Sequence, residues 1–220
     1  MSVKKQLPIS RFAPRTDRQR SYYDQLTHSP LTFGIGPAGT GKTYVAAHAA
    51  AAMLEAKIVS RLVVLRPMVA VEGEKLGALP GGLEEKTGPW VVPILNELEK
   101  IAGSERVRKW DIEILPVGFV RGHTFDNAFV HVSEAQNLTM VQSKAIVTRQ
   151  GENCTMVIEG DPDQSDIRGS SLLDLVRIAT HGVDHAITHF EDEDVVRSKA
   201  VRQWLAAFSA VGQPRAAIKA

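Results

Sequence analysis

Residues Gly36-Pro37-Ala38-Gly39-Thr40-Gly41-Lys42-Thr43 read G-x-x-x-x-G-K-T, and no other stretch of the 220-residue chain constrains its fold as strongly. Just before it lies Leu31-Thr32-Phe33-Gly34-Ile35, an apolar run with the length of a buried strand. Just after it, Val45, Ala46, Ala49, Met53 and Leu54 recur at helical spacing. A strand, a glycine-rich turn and a helix in that order form a phosphate cradle. Glycines permit the tight turn and let successive N–H groups face phosphate oxygens, while the helix N-terminus adds a favourable dipole. Lys42 then reaches the β- and γ-phosphates, and the Thr43 hydroxyl is a ligand for Mg²⁺. Gly36, Pro37, Ala38, Gly39, Thr40, Gly41, Lys42 and Thr43 are all candidates for holding a nucleoside triphosphate. What the nucleotide is used for is the open question.

A phosphate cradle of this kind needs a parallel sheet behind it, and the chain is long enough to supply one. Its 220 residues suit a single core, read as one domain over residues 16–220. Residues 1–15 hold Pro8 and Pro14, mixed charge and no period, and read as a flexible arm. The formal net charge of +1 excludes a global basic field, though not a local basic cleft. The single cysteine, Cys154, excludes an intrachain disulfide and fits a reducing compartment. No apolar run approaches about 18 residues, and the opening Met-Ser-Val-Lys-Lys-Gln has no apolar signal core. A cytoplasmic protein with no membrane partner is expected.

Taken in order, strands and helices alternate. Thr16-Asp17-Arg18-Gln19 fits a capping box opening a short helix through Gln25 and Leu26. Gln19 carries a second reading, since a glutamine just upstream of such a strand can read the adenine edge. Tyr22 and Tyr23 are read as base-stacking or core residues. Leu62 to Leu65 reads as a strand buried on both faces, ended by Arg66-Pro67. From there to Pro89 the chain is rich in glycine and charge, a long irregular stretch of the kind that carries function. Helical spacing follows from Trp90 to Ile101. Strands are expected at Ile112–Leu115, Ala128–Val132, Thr155–Ile158 and Ala186–Phe190, with helices marked by Leu138, Val141, Ala145 and Thr148, by Leu172, Leu175, Val176 and Ala179, and by Val201, Leu205 and Phe208. This alternation predicts an α/β fold with a parallel sheet covered by helices on both faces, in three layers.

In open parallel sheets, ligands bind beyond the carboxyl ends of the strands. Four polar clusters fall at predicted strand ends: the loop at residues 36–43, Arg66, Ser133-Glu134, and Asp161 to Gln164. Glu134 is the candidate base that polarises an attacking water. Gln164 is a candidate for sensing the γ-phosphate or orienting that water. Asp161 and Asp163 are candidates for the metal, for the γ-phosphate region or for a tight Asp-Pro turn, with the turn favoured for Asp163. The acidic run Glu191-Asp192-Glu193-Asp194 reads as a solvated turn. Arg66, Lys75, Arg121 and His123 are candidates for following the phosphates of a nucleic acid without reading its bases.

With these motifs in view, the chain resembles the PhoH family, P-loop ATPases related to the RecA-like core of superfamily 1 helicases. The resemblance runs from about Arg11 to Phe208. It is carried by Phe33 to Thr43, Leu65-Arg66-Pro67, Gly73-Glu74-Lys75-Leu76-Gly77, Arg121-Gly122, Ser133-Glu134-Ala135-Gln136-Asn137, Thr148-Arg149, Gly160-Asp161-Pro162-Asp163-Gln164 and Asp194-Val195-Val196-Arg197. It implies a RecA-like P-loop NTPase fold, ATP and Mg²⁺ as cofactors, ATP hydrolysis, a helicase-like role on single-stranded RNA or DNA, and a link to phosphate starvation. Phage genomes often carry such proteins, so the cytoplasm in question could be that of a phage host. One departure matters: the strand that commonly ends Asp-Glu ends here in Ser133-Glu134, so a neutral hydroxyl would hold the metal-bound water. The resemblance also implies an arginine finger. With no second RecA-like domain in this chain, it would come in trans within a homo-oligomer, a hexameric ring, from Arg197, Arg149 or Arg168. A nucleotide-gated binding module without unwinding is the alternative, and a small-molecule kinase the third reading.

Overall fold

The computed structural model describes residues 12–67, 83–196, 203, 204 and 207. Six strands form one all-parallel sheet: β1 (Leu31–Ile35), β2 (Arg61–Arg66), β3 (Asp111–Pro116), β4 (Ala128–Val132), β5 (Thr155–Gly160) and β6 (Ala186–His189), in the order β3-β2-β4-β5-β1-β6. The helices are α1 (Asp17–His28), α2 (Lys42–Glu55), α3 (Leu83–Ala102), α4 (Ser104–Val107), α5 (Met140–Val147) and α6 (Leu172–Ala179).

Side chains alternate across each strand, which divides the core in two. Leu62, Val64, Phe129 and Val157 face α1, α2 and α3. Leu31, Phe33, Val63, Leu65, Val130, Met156 and Ile158 face α5 and α6. Both faces are covered, so the central strands read as unbroken apolar runs. The expected three-layer α/β architecture is the one observed. Alanines 46, 47, 49, 50 and 51 of α2 are almost wholly buried, and their small side chains let α2 lie close against α1 and α3. Cys154 is buried, and burial pushes its thiol up to about 11, as befits an unreactive packing residue.

Several expectations need correction. Phe12 is no part of a loose arm: its ring stacks on Tyr23 at 4.4 Å and lies 5.3 Å from His48. Tyr22 and Tyr23 are both buried, at 0% and 5% exposure, so neither is placed to stack on a base. Helix α3 begins at Leu83, inside the stretch read as irregular to Pro89. Leu138 lies before α5 rather than in it, because Thr139 forms the N-cap through a capping box with Gln142. The acidic run at 191–194 is the turn expected, except that Asp194 is buried, and Arg18 holds it, bonding Asp194 and Glu191 at 2.7 Å each. Of the last expected helix, Gln203, Trp204 and Ala207 are helical, and Val201, Leu205 and Phe208 lie outside the described residues. Among the described residues, no helix is long and apolar enough to cross a membrane.

Candidate nucleotide site

The strand order sets β2, β4, β5 and β1 side by side, so their carboxyl ends form one continuous ledge. The loop at 36–43 rises from the end of β1 and feeds α2. Gly36, Gly39 and Gly41 hold φ values of 137°, 88° and 85°, a region that side-chain-bearing residues seldom enter. At Gly36 a Cβ would also collide with the Phe190 carbonyl. Gly41 is the N-cap of α2 and brings no side-chain cap, so the first-turn N–H groups and the positive end of the helix dipole serve the cleft. The Lys42 ammonium folds back onto the Gly36 and Pro37 carbonyls at 2.7 and 2.8 Å.

A single cleft is lined by Ala38, Gly39, Gly41, Lys42, Thr43 and Tyr44 from the loop and α2, by Ser133 and Glu134 from the end of β4, and by Glu159, Gly160, Asp161 and Gln164 from the end of β5. The structure thus unites the loop with Glu134, Gln164, Ser133 and Asp161, which are far apart in sequence. Glu134 sits in the left-handed region at φ 54°, a costly conformation for a non-glycine residue and one that concentrates at functional sites. Its carboxylate accepts from Gln136 Nε2 at 2.7 Å and lies 3.5 Å from Arg66 Nη2. Arg66, expected on nucleic acid, is therefore against the candidate base.

Asp161 is a brace. Its oxygens accept from the Ala38 N–H at 3.2 Å and the Asp163 N–H at 3.1 Å, which fixes the phosphate loop to the end of β5 and forms the expected turn. Gln19 also braces the loop. It is 1% exposed, its amide donates to the Thr40 carbonyl at 2.9 Å and accepts from the Arg15 N–H at 2.8 Å, and it does not line the cleft. Only half of the expected capping box forms, with Thr16 Oγ1 accepting from the Gln19 N–H at 3.2 Å.

Other candidates are not gathered here. His123 leans on Glu113, 3.8 Å away, and the next residue, Thr124, accepts from Arg61 at the start of β2, so this loop lies toward the opposite edge of the sheet from Arg66. Arg121 is exposed in the same loop. Arg149 also belongs to that far edge, where its carbonyl accepts from the Phe125 N–H at 2.8 Å, and Arg168 is exposed. Lys75 and Arg197 lie outside the described residues. The residue before Arg197, Val196, donates its N–H to the Gly39 carbonyl at 3.1 Å.

Three participants went unassigned in the sequence reading: Gln136, Glu159 and His131. Gln136 ties the ends of β4 and β5 together, donating to Glu134 and accepting from the Asp161 N–H at 3.1 Å. Glu159 is 2% exposed and accepts from Thr43 Oγ1 at 3.0 Å, Tyr22 OH at 3.0 Å and His131 Nε2 at 2.9 Å. Burial opposes its charge, but the His131 ring, the Lys42 ammonium and the Tyr22 hydroxyl outweigh this and hold the carboxyl below its usual range. Burial and the neighbouring Glu159 carboxylate push the Tyr22 hydroxyl well above its ordinary value, so it stays a donor. Gly34, beside Glu159 on β1, makes room: a Cβ there would stand 2.5 Å from the Tyr22 oxygen. The sequence signal for this network was a carboxylate and an imidazole inside otherwise apolar strands.

The cleft fits a nucleoside triphosphate with Mg²⁺. The loop presents N–H groups and an ammonium for phosphates, and the Thr43 hydroxyl stands beside carboxylates. Among the described residues, no three His, Cys, Asp or Glu side chains gather to hold a metal by themselves. Mg²⁺ commonly binds with few protein ligands and the substrate's phosphates, so the donor set here suits it.

Similarity to known proteins agrees with this geometry. The family model for PhoH-like proteins matches residues 11–209. The chain is 38% identical over 208 residues to a PhoH-like protein of Mycobacterium tuberculosis, covering 91% of this chain and 59% of the relative. It is 37% identical over 201 residues to a PhoH-like protein of Bacillus subtilis, covering 88% and 63%, and 37% over 204 residues to protein PhoH of Escherichia coli K12, covering 89% and 57%. The chain thus spans about three fifths of the length of these relatives. In fold it is similar to the large terminase of a thermophilic bacteriophage, with a TM-score of 0.60 and 11% identity over 90% of this chain and 51% of the terminase. With the family model and these relatives matching nearly its whole length, the chain belongs to the PhoH-like protein family.

Proposed function

We propose that this chain is a Mg²⁺-dependent ATPase that works on single-stranded RNA or DNA as a homo-oligomer. The observation that carries the reading is the meeting of the phosphate loop, Glu134 and Gln164 in one cleft. Lys42 turns from the loop carbonyls to the β- and γ-phosphates when nucleotide enters, because a phosphate charge attracts an ammonium more strongly than a carbonyl does. Thr43 would hold Mg²⁺, which would supply charge neutralisation at the phosphates. Glu134, released from Arg66, orients and polarises the attacking water, and Gln164 contacts that water or the γ-phosphate. The finger arginine comes from a neighbouring subunit of a ring, from Arg197, Arg149 or Arg168. Nucleic acid meets the ledge of strand ends through Arg66, with Lys75 as a further phosphate contact. Because such contacts are to phosphates, binding falls steeply as salt rises. The test is ATP hydrolysis with and without single-stranded RNA and DNA, on a sample of measured oligomeric state, beside Glu134→Gln. Equal background rates from both proteins contradict the enzyme reading, and full turnover by a monomer contradicts the finger in trans.

A second reading has its own support. The Arg66–Glu134 pair at 3.5 Å and the neutral Ser133 both suit a nucleotide-gated binding module with little turnover. ATP-dependent nucleic-acid binding without hydrolysis is the result that favours it.

A further inference from the structure

In P-loop NTPases the metal is held by the loop's Ser or Thr together with an aspartate at the end of a neighbouring strand. Here that strand, β4, ends in Ser133, which carries no charge. One strand over, β5 places a carboxylate where the sequence pattern calls for an apolar side chain. Met156 and Ile158 point to one face, and Val157 and Glu159 to the other, toward α2. Glu159 reaches the first turn of that helix and accepts the Thr43 hydroxyl proton at 3.0 Å, and it forms part of the cleft wall beside Ser133.

A buried carboxylate is costly unless it is well bonded, and this one is. Tyr22 OH takes Oε1, while Thr43 and His131 share Oε2. A carboxylate only accepts, so His131 Nε2 is the donor to Glu159, and His131 Nδ1 has no hydrogen-bond partner among the described residues. His131 stands on β4 on the same face, two residues before Ser133. The substituted strand end and the support for Glu159 thus belong to one element. A hydroxyl whose proton is committed to a carboxylate turns its oxygen lone pairs elsewhere and becomes a better donor to a cation.

We propose that Glu159 supplies the acidic partner that the end of β4 lacks: it positions Thr43 and contributes the negative charge for a nucleotide-bound Mg²⁺, with His131 and Tyr22 holding it in place. This rests on the nucleotide-binding reading above. Ser133 then needs only to bond a water of the metal shell, and its neutrality does not make the site inert.

Binding of a fluorescent ATP analogue, measured with Mg²⁺ and with excess chelator, separates this role from a purely structural one. The wild type is expected to bind more tightly with Mg²⁺. In Glu159→Gln the Mg²⁺ concentration giving half-maximal enhancement of binding rises roughly 10–100-fold. Adding Ser133→Asp to Glu159→Gln restores much of the response, since it returns a carboxylate to the usual strand end. Tyr22→Phe, which removes one support and keeps the ring, raises the Mg²⁺ requirement by a smaller factor; it also serves if Glu159→Gln does not fold. An unchanged Mg²⁺ response in a folded Glu159→Gln, or in Tyr22→Phe if that must stand in, overturns the proposal. Absence of nucleotide binding by the wild type under both conditions overturns the nucleotide reading itself, and this proposal with it.

Discussion

At the scale of single residues, the site depends on close approaches that only particular side chains allow. Gly34 is the clearest case, because it is a strand residue with no turn to make. Its missing Cβ is the space through which Tyr22 reaches Glu159, and an added methyl would stand 2.5 Å from the Tyr22 oxygen and 2.7 Å from its ring. Gly34→Ala is therefore expected to lower stability by about 1–3 kcal/mol, as overpacking of a rigid core does, read from urea unfolding. An unchanged midpoint would show that Tyr22 moves aside freely. Glu134 shows the opposite compromise: it keeps a left-handed backbone that glycine would adopt more easily, and it lines the cleft with a carboxylate that glycine lacks. The loop residues could be read from the sequence because their spacing is local. The Tyr22–Glu159–His131 contacts could not, because they join residues up to 137 positions apart. Glu159 and His131 in otherwise apolar strands were the hint.

At the scale of elements, the sequence made the strands plain, since parallel strands buried on both faces read as short apolar runs. Ala128–Val132 matches its expected bounds, and β2, β3 and β5 each extend only slightly past theirs. Helix starts were harder, because capping can shift them: Thr139 excludes Leu138 from α5. The packing of Phe12 on Tyr23 is a tertiary contact that composition cannot reveal. One such long-range tie has a pH signature. Asp194, after β6, is held by Arg18 on α1. Burial opposes its charge, but the Glu191 N–H, the Arg18 guanidinium and the Thr16 hydroxyl hold its carboxyl below the usual carboxylate range. A group whose folded value is depressed adds stability above its unfolded value, near pH ~4, and loses it as pH falls toward the folded value. Asp194→Asn should lower the melting temperature at neutral pH and flatten its decline below about pH 4. Parallel melting curves for the two proteins across that range would remove Asp194 from the acid response.

At the scale of the whole molecule, four adjacent strands end on one ledge, and the groups of the proposed ATPase stand there together. His123 and Arg149 lie toward the other edge, so a nucleic acid on the ledge would not meet them in the same subunit. Binding of single-stranded RNA or DNA is expected to weaken steeply with salt, with a slope that falls by about one on Arg66→Ala if that residue contacts a phosphate. An unchanged slope would remove Arg66 from the nucleic-acid contacts. The account as a whole turns on whether the cleft hydrolyses ATP through Glu134. The most direct measurement is steady-state phosphate release, with Mg²⁺ and single-stranded RNA, by the wild type and Glu134→Gln at matched oligomeric state. The account predicts turnover by the wild type and a loss on the order of 10²–10⁴-fold in the variant, with nucleotide binding retained. Equal rates from the two proteins would contradict it.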